Sequence, residues 1–152
     1  MQVFDDIAAL QARVGTELGT SDWLTVDQSR IDRFADATDD HQWIHVDVER
    51  ATRESPFGGP VAHGFLTLAL LPRLVGEVFT VRGVGTRVNY GLNTLRFINP
   101  VPAGARIRAR VRLSDVIARG PGAFRVGCHV TVEIENHDRP ACIAETLTLY
   151  IV

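Results

Sequence analysis

The sequence is poor in the features that mark several common protein classes. Two cysteines, Cys128 and Cys142, cannot frame a disulfide scaffold, and without CxxC spacing they make no redox or zinc pair. Both fall in strand-like segments and read as small buried hydrophobes. No apolar run is long enough to cross a bilayer: the longest, Phe65 to Leu71, is interrupted by Thr67 and followed by Pro72 and Arg73. Neither sign of charge dominates, with 16 basic against 18 acidic side chains and a net charge of -2. A protein that grips nucleic acid through its phosphates would be clearly basic, so that class is disfavoured. There is no GxGxxG and no Walker motif. Near the start, Asp5 and Asp6 stand where a signal peptide carries Lys or Arg, and no apolar stretch follows, so a cytoplasmic protein is expected.

What remains is a globular composition, 45% hydrophobic and 22% charged, and a single domain over residues 1–152. A chain of this length buries roughly two-thirds of its unfolded surface and needs no metal or disulfide to fold. Its character changes near residue 83. Before that point the patterns are helical or irregular; after it they alternate.

Phe4, Ile7, Leu10 and Val14 are spaced for a short helix over residues 4–14. Ser21 to Val26 reads as extended. Thr25 and Gln28 then form a capping box, with Thr25 as N-cap, ahead of a helix whose stripe is Ile31, Phe34 and Ala35. It should stop near Thr38, and Val46 to Ser55 suggests another short helix. Pro56-Phe-Gly-Gly-Pro60 is a loop. Residues 63–79 are apolar almost all round, which predicts a buried helix kinked or divided at Pro72.

In the second half, Ile107, Ala109, Val111 and Leu113 alternate with Arg106, Arg108, Arg110 and Arg112, so one face is buried and one solvated. Phe124, Val126, Cys128, Val130, Val132 and Ile134 repeat the period, and the turn at Arg119-Gly-Pro-Gly122 joins the two runs into a hairpin. The arginine row is either a solvated face matched by Glu133 and Glu135 or a phosphate-binding patch. Ala141 to Ile151 is a last strand, and Val84 to Ile98 supplies one or two more, interrupted at Gly91. These elements predict an α+β fold in which an antiparallel sheet wraps a central buried helix, with Ile107, Val111, Val130 and Val132 against the Phe65–Leu71 helix.

Chemistry concentrates in the first half. Asp40 and His45 flank Trp43-Ile44; if that pair anchors in the core, the carboxylate and imidazole turn toward one cavity and can hold a water as an acid/base pair. The plain alternative is a turn residue and a core histidine. His41 and His45 have HxxxH spacing, but a metal would need both on one helix face and a third ligand. Gly64 follows His63 and opens a helix whose free N–H groups need a partner: a substrate carbonyl, or the preceding loop.

Two runs carry a family resemblance. They are Phe34-Ala-Asp-Ala-Thr-Asp-Asp40-His-Gln-Trp-Ile-His45-Val-Asp47 and Ser55-Pro-Phe-Gly-Gly-Pro-Val-Ala-His-Gly-Phe-Leu-Thr-Leu68. Together they resemble the MaoC-like dehydratases, hot-dog-fold (R)-specific enoyl-CoA hydratases, in a branch similar to nodulation protein N. The likeness extends through Asn89-Tyr-Gly-Leu-Asn93 and Phe97-Ile-Asn-Pro-Val-Pro102. In the family pattern Gly-Asp-x-Asn-Pro-Leu-His, Asp40 and His45 match the Asp and the His. Asp39, Gln42, Trp43 and Ile44 replace Gly, Asn, Pro and Leu. The resemblance implies reversible hydration of a trans-2-enoyl-CoA to the (R)-3-hydroxyacyl-CoA. Asp40 would act as base, His45 would orient the water, and the Gly64 N–H would polarise the thioester carbonyl. His63 and Asn89 would contact substrate. It also implies a homodimer and no metal or organic cofactor. A dehydratase acting on acyl carrier protein, a hot-dog thioesterase and a non-catalytic acyl-thioester-binding protein are the alternatives.

Overall fold

The boundary near residue 83 separates helices from sheet, with a few short strands on the helical side. A computed structural model describes residues 1–152. In chain order the elements are β1 (Gln2–Phe4), α1 (Ile7–Gln11), β2 (Glu17–Thr20), β3 (Leu24–Thr25), α2 (Gln28–Thr38), α3 (Trp43–Val46), α4 (Val48–Glu54), α5 (Gly64–Ala69), α6 (Leu71–Val78), β4 (Phe79–Val81), β5 (Thr86–Phe97), β6 (Arg106–Gly120), β7 (Ala123–Ile134) and β8 (Cys142–Ile151).

The alternation in β6 and β7 does what period two requires. Ile107, Ala109, Val111, Leu113, Val126, Cys128, Val130, Val132 and Ile134 all point into the core. The two strands pair antiparallel from Ile107–Ile134 to Gly120–Ala123, closing at Pro121-Gly122. The main sheet runs β2-β6-β7-β8-β5, with β3 also paired to β6, and every pairing is antiparallel. This is the hot-dog arrangement: a curved sheet around a buried helix. β1 and β4 form a separate parallel pair.

The outer face confirms the solvated reading of the arginine row. All 16 basic residues of the chain are arginine, and on this face they fork onto glutamates: Arg106 pairs with Glu135, and Arg108 and Arg110 both reach Glu133 at 2.7 Å. Burial alone would raise the Glu133 pKa, but the bonds from Arg108 and Arg110 outweigh it and hold the carboxyl below its ordinary value. Three of the four cations in the row, Arg106, Arg108 and Arg110, are thus spent on glutamates, and Arg112 alone makes no phosphate patch. Both cysteines are free and buried, and burial pushes their thiols up to about 12 for Cys128 and about 11 for Cys142.

Three local readings change and one, the division of the long apolar stretch, holds. Residues 4–14 are not one helix: Phe4 ends β1, and α1 starts only after Asp6, whose carboxylate caps the Ala9 N–H at 2.7 Å. The cap of α2 is Asp27, not Thr25; its carboxylate takes the Arg30 N–H at 2.8 Å, and Thr25 is held in the sheet opposite Arg106. The apolar stretch 63–79 does divide, at Leu70, with Pro72 in the first turn of α6, where its missing N–H costs nothing. The helix that lies on the sheet is α6, burying Leu71, Leu74 and Val78, whereas α5 leaves Phe65 67% exposed beside the Phe97 ring.

The end of α2 carries a local cost. Asp39 sits in the left-handed region (φ 56°, ψ 20°), where the resembling family has glycine, and it puts a negative charge at a helix C-terminus. Asp39→Gly should therefore stabilise the chain by about 0.5–1 kcal/mol, raising Tm by roughly 2 °C in a thermal melt. An unchanged or lower Tm would mean that Asp39 makes compensating contacts.

Candidate active site

α2 ends at Thr38, and the left-handed turn at Asp39 throws the chain across the start of α5. The single turn of α3 then brings His45 back beneath it. The His45 ring is 7% exposed and its Nδ1 lies 2.6 Å from the Val61 carbonyl. A carbonyl can only accept, so Nδ1 carries the hydrogen and Nε2 is left as the acceptor of the neutral ring. Burial, the largest influence, pushes the His45 pKa below its ordinary value; the Val61 bond and Asp40 oppose it, and His63 adds to it. Burial of His45 thus favours its neutral form.

Two further ties hold this turn. Val61 N–H donates to the Ile44 carbonyl at 3.1 Å, and the Gln28 amide donates to the His45 carbonyl at 2.7 Å. Gln28, expected to close a capping box, instead spans from α2 to α3.

His63 precedes α5 and is 3% exposed. Its ring stacks on His45, with centroids 3.8 Å apart and planes 26° apart, and Phe34 packs nearby at 5.0 Å. Its Nε2–H donates to the main-chain carbonyl of Asp40 at 2.9 Å, and the Asp40 carboxylate is 3.9 Å away. The Asp40 side chain itself is 56% exposed. Asp40, His45, His63 and Gly64 thus meet at one place. Asn89 does not join them: it lies on β5, lining a cavity of about 560 Å³ between the helices and the sheet with Leu68, Val75, Tyr90, Leu92 and Thr148.

Gly64 has two reasons to lack a side chain. A Cβ there would come within 3.2 Å of the Phe97 ring, tighter than ordinary contact. Its N–H also donates to no main-chain carbonyl, leaving a donor free at the head of α5. Phe97 and the Val61 carbonyl escape a sequence reading for different reasons. Phe97 comes from the far end of β5, and a main-chain acceptor leaves no mark in residue identity.

The HxxxH reading fails on geometry. His41 is turned to solvent and bonded to Asp36 at 2.9 Å, while His45 points inward. The trio that could present ligand atoms together is Asp40, His45 and His63, within 4.8 Å of one another. The two rings are nearly parallel, so their in-plane lone pairs run side by side and do not converge on one ion. What the arrangement suits is a small polar molecule held between a carboxylate and a neutral imidazole.

Comparison with known proteins bears on this directly. The profile of the MaoC like domain matches residues 9–134. The 3-hydroxyacyl-thioester dehydratase Z of Mycobacterium tuberculosis is 50% identical over 151 residues, covering 99% of each chain. Nodulation protein N of Rhizobium leguminosarum bv. viciae is 50% identical over 144 residues, 94% of this chain and 89% of that one. Among solved structures, the monoamine oxidase regulatory protein of Archaeoglobus shares the fold with a TM-score of 0.77 at 24% identity, over 99% of this chain and 96% of that one. Fold, motif order and full-length identity agree: the chain belongs to the MaoC-like dehydratases, hot-dog enzymes of the hydro-lyase class.

Proposed function

We propose that the chain catalyses reversible hydration of a trans-2-enoyl-CoA to the (R)-3-hydroxyacyl-CoA, using a water held between Asp40 and His45. The observation that carries this reading is the His45 ring, whose Nδ1–H is held by the Val61 carbonyl, leaving Nε2 as acceptor, and which lies within 4.8 Å of the Asp40 carboxylate. A water there finds two acceptors for its two hydrogens. As its oxygen adds to C3, Asp40 takes one proton and the C2=C3 electron pair moves onto the thioester oxygen. The Gly64 N–H stabilises that enolate, and the proton taken by the Asp40–His45 pair then passes to C2. In the reverse direction the same groups remove water from the 3-hydroxyacyl thioester, the substrate class in the mycobacterial relative's name. The thioester activates C2 and C3, so no metal or organic cofactor is required.

A homodimer goes with this reading. β5 pairs only with β8, so its other edge is open along 12 residues, with Val88, Tyr90 and Leu92 all exposed. An open edge of that length invites a second copy. Two buried free thiols suit the reducing cytoplasm, where CoA thioesters are used.

Incubation with crotonyl-CoA tests the activity: loss of enoyl absorbance without free thiol is expected, free thiol would indicate a thioesterase, and no change would contradict the proposal. Asp40→Asn and His45→Gln should each lower kcat by about 10²–10⁴, with the double variant far less than multiplicatively worse because both act on one water. Wild-type turnover by folded Asp40→Asn would remove the mechanism. For the assembly, light scattering at micromolar concentration should give twice the chain mass; a monomer at every concentration would contradict the edge-pairing argument.

A further inference from the structure

His63 is an expensive choice for its position. Its ring is 3% exposed, and with Nε2–H committed to the Asp40 carbonyl its Nδ1 is buried without a partner. A buried polar atom left unpaired costs stability that an apolar ring of the same shape would not. Phenylalanine would fill the space between Phe34 and His45 without that penalty. The imidazole must therefore contribute something a phenyl ring cannot. Two contacts distinguish it: the bond to the Asp40 main chain, and a second titratable ring stacked 3.8 Å from His45.

We infer that His63 is a positioning residue for the hydration, one that fixes the Asp40 main chain through Nε2–H and backs the His45 ring with a second ring stacked on it. The inference rests on the function proposed above. His63 is buried where Asp40 is open: its side chain is 3% exposed against 56% for the Asp40 side chain. The groups around His45 leave His63 as the source of opposition to its protonation. From the loop, Asp40 favours a charged His45, and the Val61 carbonyl favours it too; from α2, the neutral Gln28 meets the His45 main chain, and Phe34 lies against His63. Among the charged or titratable neighbours only His63 works against protonation of His45.

The test uses the full-length protein and two variants, His63→Phe and His63→Gln. His63→Phe keeps the flat ring and removes both special contacts. It should melt no lower than wild type, lose about 10- to 100-fold in kcat with KM little changed, and show the acid limb of kcat/KM moved to higher pH. His63→Gln keeps an amide N–H for the Asp40 carbonyl but not the second ring. It should recover part of kcat while sharing the raised acid limb, and it serves if the phenyl variant folds poorly. An NMR titration of His45 supplies a readout independent of turnover: its pKa should be higher in either variant than in wild type. Wild-type kcat with an unmoved acid limb would overturn the inference, as would activity lost only in step with folded protein. If wild type fails to hydrate crotonyl-CoA, the function proposed above fails; the inference then falls if the His45 titration is also unmoved by either variant.

Discussion

The bond from His45 Nδ1–H to the Val61 carbonyl is the contact on which the site depends. It selects the tautomer, leaves Nε2 as the acceptor of the ring, and joins the two halves of the motif across a gap of 16 residues. The Val61 segment is itself anchored: Val61 bridges to Pro102, and Ala62 N–H donates to the Val101 carbonyl at 2.8 Å. His45 is thus fastened through main chain to the same loop that leads into the sheet. Main-chain anchoring leaves the Asp40 carboxylate and the second ring nitrogen of His45 free, as the proposed chemistry requires.

Much of this was legible in the residues. Period-two alternation marked β6 and β7 because burial on one side and water on the other leaves little choice of pattern. The charge match of the arginine row with Glu133 and Glu135 followed from the same register. Pro72 announced the division between α5 and α6, because a proline amide cannot donate inside a helix. Asp40 and His45 could be paired from their placement around Trp43-Ile44, and the structure does bring them together.

What escaped the sequence was decided by long-range contacts. Thr25 looked like a better helix cap than Asp27 until strand pairing with β6 claimed it. Phe4 fitted a helical stripe but is taken by the parallel pairing of β1 with β4. Phe65 looked buried by composition, yet the bend at Leu70 turns it outward. The stacking of the His63 ring between Phe34 and His45 had no signal in the sequence. Asn89 is a reminder that one motif stretch can serve a different surface, here the cavity between helix and sheet.

The most direct measurement is a crystal structure of the Asp40→Asn variant with crotonyl-CoA bound. One water should lie within hydrogen-bond reach, about 3 Å, of both the residue 40 side chain and His45 Nε2, facing C3, with the thioester oxygen on the Gly64 N–H. An acyl group seated away from His45, or a thioester oxygen with no contact to Gly64, would contradict the account.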